Sequence, residues 1–108
     1  MVYVYEIRNL LTGKLYVGVS SDPQARFFAH MNQRKNLTKL GRAVKKYGKE
    51  NFRLRVLSQH LERDDAYREE IRLIAAMNLM VRGYNSSPGG DGYLGKRTKR
   101  RRIFRSNR

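Results

Sequence analysis

The chain reads as an α+β domain, a small three-stranded antiparallel β-sheet flanked by helices in the order β-β-α-α-β-α. Three observations predict this. Three short segments alternate apolar and polar residues with period two. The first two of these are joined by a short polar turn and form a hairpin. Three further segments carry apolar residues at helical spacing, and a sheet this small needs helices against it to bury its apolar surface.

The first two strands cover residues 2–7 and 15–19 and are rich in Tyr and Val. Thr12-Gly13 supplies the turn, where Gly13 is free to take positive φ. Alternation puts Tyr3, Tyr5 and Ile7 on one face and Val2 and Val4 on the other. On the second strand Tyr16 and Gly18 share a face, opposite Leu15, Val17 and Val19. One face of the hairpin is thus aliphatic. The other carries two phenols, Tyr5 and Tyr16, beside a glycine.

A helix starts at Pro23, with Ser21 or Asp22 as N-cap, and runs to about residue 33. Its predicted apolar stripe is Ala25, Phe28 and Met31, with Phe27 at the edge. Arg26 and His30 are four apart and lie together, away from that stripe. A solvated face and a cationic donor pair looking into a cleft are both open readings. Asn36 or Thr38 caps a second helix that ends at Tyr47-Gly48. Leu40, Ala43, Val44 and Tyr47 form its stripe, and Arg42, Lys45 and Lys46 cover the rest with Lys39 and Lys49. No acidic residue lies between Met31 and Lys49, so this face is read as phosphate-facing.

Phe52, Leu54 and Val56 alternate with Arg53 and Arg55, a half-buried strand over 52–58. His60 is expected in the following loop, on the surface and without a partner. Residues 62–77 form the third long helix, with Ala66, Tyr67, Leu73, Ile74 and Met77 on its apolar face. At 100° per residue, Glu70 projects within about 60° of each of these, and Glu69 roughly 100° to one side. A carboxylate inside an apolar stripe is unfavourable unless it is paired or binds a metal. The residues alone leave a buried ion pair and a metal ligand equally open.

The 108 residues suit one domain. The 24 Lys+Arg against 9 Asp+Glu give a formal net charge of +15, which calls for a polyanionic partner, most often nucleic acid. Residues 96–108 hold eight of the basic residues and no acid. They cannot build a core, and are expected to be a disordered nucleic-acid-binding tail after a domain over 1–95. Without that +8 the remainder still carries +7. There is no Cys, which excludes disulfides and thiolate metal sites. Neither a secretory signal nor a membrane-length apolar run is visible, which fits a cytoplasmic protein.

Tyr3-Val4-Tyr5 and Tyr16-Val17-Gly18 resemble the paired motifs of the GIY-YIG nuclease family, with Tyr3 in place of the first motif's Gly. Asn9 and Gly13-Lys14 match residues common between the motifs. Arg26 with His30, the Lys-Tyr-Gly string ending at Gly48, Glu70, and Gly83-Tyr84-Asn85 follow in the family's order. The resemblance covers residues 2 to about 92. It implies the family's fold and a metal-dependent endonuclease that hydrolyses DNA phosphodiesters, double-stranded or branched, in a bacterial or phage-infected host cell. One Mg²⁺ or Mn²⁺ would sit on Glu70. Tyr5 would be the general base or proton relay, assisted by His30, and Tyr16 would orient Tyr5 or the scissile phosphate. The high phenol pKa of Tyr5 would need cations nearby, Arg26 and the metal. Arg26 would grip the phosphate. Gly18 would leave room for the DNA backbone, and Asn85 would hold the closing loop or the substrate. Arg42, Lys45 and Lys46 would recruit DNA. A homodimer on DNA is a further expectation, since one centre cuts one strand. The alternative is an inactive nucleic-acid-binding module of the same fold.

Overall fold

The computed structural model describes residues 1–90. The expected boundary between 95 and 96, and the basic tail, lie outside the described residues. Three strands, β1 (Val2–Asn9), β2 (Leu15–Ser20) and β3 (Phe52–His60), form an antiparallel sheet in the order β2-β1-β3. Helices α1 (Pro23–Met31) and α2 (Lys39–Tyr47) precede β3; α3 (Arg63–Ala76) and the single turn α4 (Leu79–Arg82) follow it. The turn α4 has no counterpart in the sequence reading.

The alternation in the hairpin sorts its side chains as expected, and both faces are covered. Tyr5, Ile7 and Phe52 pack with Met31 of α1 and Leu40, Ala43 and Val44 of α2. Val2, Val4 and Val17 pack with Ala66 and Ile74 of α3 and Leu79 of α4. Two apolar layers thus share one sheet, and the central strand β1 is buried along most of its length. Glu6 is the buried charged residue of this strand. It is 5% exposed and faces Arg55 at 3.4 Å and Arg8 at 3.8 Å, which offsets its loss of hydration.

The structure corrects three sequence expectations. The register of β1 against β3 shifts between Val4 and Tyr5, so that Tyr5 pairs with Val56 and Val4 with Ser58. This bulge turns the end of β3 over. Leu57 joins the α3-side core, and the strand runs on to His60, which pairs with Val2. His60 is therefore not in a loop, and its Nε2 is 2.8 Å from the Ser58 hydroxyl. In α1, Phe28 is 70% exposed, whereas His30 and Met31 are buried and Phe27 packs against the core. The inward stripe is Phe27, His30 and Met31, one residue out of phase with the predicted one. The helix also ends at Met31, before residue 33. Among the described residues no helix is long and apolar enough to cross a membrane.

Candidate active site

β1 and β2 carry Tyr5 and Tyr16 side by side, with ring centroids 6.3 Å apart. Tyr5 pairs across the ladder with Gly18, and the missing side chain at Gly18 makes room for the phenol. A Cβ there would lie 2.6 Å from the Tyr5 oxygen and 3.1 Å from Tyr16 Cε2. This corrects the expectation for Gly18, because the space it leaves is filled by the protein's own rings.

α1 starts where Asp22 accepts a hydrogen bond from the Ala25 amide, with Pro23 at its first position. It carries Arg26 and His30 to the phenols. The Tyr5 hydroxyl and His30 Nε2 are 3.2 Å apart, in a buried hydrogen bond. The Tyr16 ring meets the imidazole edge-on, with centroids at 4.8 Å. Burial, and then the neighbouring Arg26 charge, lower the His30 pKa to about 4. His30 is therefore neutral at physiological pH, not half of a cationic pair, while Arg26 stays on the surface. Burial raises the Tyr5 pKa above its ordinary value; the nearby Arg26 guanidinium opposes this and the Glu70 charge adds to it. The Tyr16 pKa is also raised, by burial first and then by Tyr5 and Glu70. The lowering expected from Arg26 is present at Tyr5 but is outweighed.

α3 brings Glu70 into the same cleft. Its helical phase separates it from Glu69, as expected. Glu69 turns outward and forms a two-pronged pair with Arg72, at 3.0 and 2.6 Å, which lowers its pKa. Glu70 instead lines a cavity of about 210 Å³ with Tyr16, His30, Thr38, Tyr84 and Ser87. Its Oε1 accepts a hydrogen bond from the Gly90 amide at 2.9 Å. Tyr16 of β2, His30 of α1 and Glu70 of α3 thus line one cleft at the β2 edge of the sheet, and Tyr5 of β1 touches it through His30. Among the described residues no group of three or more His, Asp or Glu gathers to form a ready metal cage. A cation on Glu70 would take one protein carboxylate and draw its other ligands from water and substrate, as Mg²⁺ sites commonly do.

Of the two tasks expected of Asn85, its hydrogen bonds serve the holding of the loop, and it also lines the cavity beside Glu70. It is 5% exposed. Its Oδ1 accepts from the Val17 amide and its Nδ2 donates to the Val17 carbonyl. With the Tyr84 amide donating to the Leu15 carbonyl, it covers the open edge of β2 and holds the loop there. Asn9, fully buried, donates to the Tyr84 hydroxyl and accepts from the Leu11 amide. Tyr84 and Thr38 were missed as lining residues. Their signals were the Gly-Tyr-Asn string and the N-cap of α2. Lys45 lines a larger groove between α1 and α2 that also reaches His30. Arg42 and Lys46 are exposed on the same helix; Arg42 bonds the Leu37 carbonyl and Lys46 lies over the Tyr47 ring.

The comparisons with known proteins agree with this fold. The family model of the GIY-YIG catalytic domain matches residues 1–85. Two proteins of Enterobacteria phage T4 are similar. "Putative endonuclease segE" is 32% identical over 91 residues, 83% of this chain and 42% of that protein. "Putative endonuclease segD" is 29% identical over 90 residues, 82% of this chain and 39% of that protein. The chain therefore spans about two-fifths of the length of these relatives. Among solved structures, the catalytic domain of homing endonuclease I-TevI aligns with a TM-score of 0.67 and 29% identity, covering 81% of this chain and 99% of that one. A mutant of the same catalytic domain aligns with a TM-score of 0.67 and 27% identity, covering 82% and 96%.

Proposed function

The chain belongs to the GIY-YIG catalytic domain family, and from that premise we propose that it is a metal-dependent endonuclease that hydrolyses DNA phosphodiesters. The observation that carries the proposal is that Tyr16, His30 and Glu70 line one cleft, with Tyr5 hydrogen-bonded to His30 behind it and the Arg26 charge close to both phenols and the imidazole. A module that only bound nucleic acid would need the basic surface. It would not need a buried phenol bonded to a neutral imidazole beside a carboxylate.

In this reading Tyr5 and His30 move the proton of the attacking water. Nucleic-acid hydrolysis at neutral pH needs a base that is unprotonated there. A phenol with a raised pKa is a poor one alone, but His30, with its pKa near 4, stays free to accept. With its Nδ1 protonated, the imidazole takes a hydrogen bond from the Tyr5 hydroxyl at Nε2, and Tyr5 relays the proton from the water. Tyr16 holds the imidazole edge-on and fixes its orientation. Arg26 grips the scissile phosphate, where its planar fork matches two oxygens. Glu70 is the residue that would hold one Mg²⁺ or Mn²⁺; when bound, the ion supplies positive charge at the phosphate and the departing 3′ oxygen, and neutralises a carboxylate that raises both phenols. Arg42, Lys45 and Lys46 recruit the duplex through its phosphates, and the basic tail over 96–108 adds affinity in the same way. The test is incubation with supercoiled plasmid, with Mg²⁺ and with a chelator. Nicking that depends on the divalent ion is the expected result. Binding without nicking at any Mg²⁺ or Mn²⁺ concentration overturns the proposal in favour of the inactive module.

A further inference from the structure

The segment that closes over Glu70 begins beyond residue 85, where the family match ends. Ser87, Pro88, Gly89 and Gly90 lie along α3, and the Gly90 amide reaches Glu70 Oε1 at 2.9 Å. Gly89 and Gly90 both have positive φ, 95° and 74°, and both are buried. Two successive residues in that region turn the backbone so that an amide points at the helix, a conformation in which side chains with a Cβ are strained. The approach is close. A Cβ on Gly89 would lie 3.0 Å from Ile74 Cδ1 and 3.4 Å from Glu70 Cδ. The Ser87 hydroxyl accepts from the Gly89 amide at 3.4 Å, and Ser87 also lines the cleft.

We infer that residues 87–90 are a positioning strap, in which the Gly90 amide fixes the Glu70 carboxylate in the orientation it presents to the cleft. The inference rests on the role proposed above for Glu70. A glutamate's last torsion is broad and close to two-fold, so a carboxylate on a helix does not set its own plane. A backbone donor on one oxygen selects one orientation, and a hydrogen bond to an ionised acceptor is among the stronger ones available. Partners that orient a metal-holding side chain commonly change metal affinity or activity about 10–100-fold when removed. Gly89 and Gly90 are thus positioning residues that act through Glu70 and do not touch the reacting phosphate.

The first test is spectroscopic and uses the full ¹⁵N-labelled chain without metal. The Gly90 amide proton should resonate downfield and exchange slowly with solvent, and both signs should weaken in Glu70→Gln, whose neutral carbonyl is the poorer acceptor. A Gly90 resonance that is indifferent to Glu70→Gln overturns the strap. The second test compares Gly90→Val with Gly90→Asn, since Asn tolerates positive φ and Val does not. Gly90→Val should bind Mn²⁺ about tenfold more weakly, at the low end of such effects, and should need correspondingly more Mg²⁺ for half-maximal nicking. Its affinity for DNA in chelator should not change, and Gly90→Asn should keep more of the Mn²⁺ affinity. Wild-type Mn²⁺ affinity and Mg²⁺ dependence in a folded Gly90→Val would overturn the inference; if that variant does not fold, the Gly90 amide comparison with Glu70→Gln decides. The two readings fail separately. Full nicking by Glu70→Ala removes the role of Glu70 itself, whereas an inactive Glu70→Ala with an unresponsive Gly90 amide removes only the strap.

Discussion

At the scale of single residues, the account turns on a phenol and an imidazole that burial holds in their neutral forms. Tyr5 is 1% exposed and His30 8%, and their hydrogen bond replaces the water that each has lost. Tyr5→Phe removes one hydroxyl and should leave the fold intact. Single-turnover nicking should slow by at least about 10²-fold, the lower range for a general acid–base group; turnover within a few-fold of wild type would leave Tyr5 as packing. His30 also ties stability to pH. Its folded pKa, lowered to about 4, lies below the ordinary value near 6.5, so between these values the unfolded chain binds more protons. Stability from this group is fully present above about pH 6.5 and is lost as pH falls toward 4. Thermal midpoints across that window should fall less steeply in His30→Gln than in the wild type. Equal slopes would mean that His30 is not the group that titrates.

At the scale of elements, the phase of α1 can be tested by packing. Met31→Ala empties a buried site and should destabilise the domain by about 2–5 kcal/mol. Phe28→Ala, on an exposed side chain, should stay within about 0.5 kcal/mol. Urea melts of the two variants measure this directly, and a cost for Phe28→Ala as large as that for Met31→Ala would restore the phase read from the sequence. That misreading has a physical cause. Hydrophobicity ranks Phe above His, so a pattern search turns Phe28 inward, but the site needs the imidazole against Tyr5 and sets the helix accordingly. The end of β3 was hidden for a similar reason. A bulge leaves no mark in a period-two pattern, and it turns Ser58 and His60 to the face opposite the one that simple alternation from Phe52 assigns them. The elements themselves were legible wherever packing alone decides them, as in the hairpin, α2 and the phase that separates Glu70 from Glu69. For Asn85 the resemblance left the loop and the substrate both open, and only the register of the loop beside β2 shows that its amide completes the sheet edge.

At the scale of the whole molecule, charge and chemistry divide between surfaces. The cleft holds one carboxylate among neutral rings, while the exposed face of α2 carries Arg42, Lys45 and Lys46. Changing these three to Ala should weaken DNA binding and flatten the slope of log K against log salt by up to about 2.7, at 0.9 per phosphate contact. The single-turnover rate at saturating DNA should hold. An unchanged slope would make that face solvated surface. The central claim, that Glu70 and not its neighbour serves the reaction, is tested most directly by side-by-side nicking of supercoiled plasmid in Mg²⁺ by Glu70→Ala and Glu69→Ala, with DNA binding measured in parallel. The account predicts that Glu70→Ala binds DNA but does not nick it, and that Glu69→Ala, which loses only a surface pair with Arg72, keeps most of its activity. An active Glu70→Ala beside an inactive Glu69→Ala would contradict it.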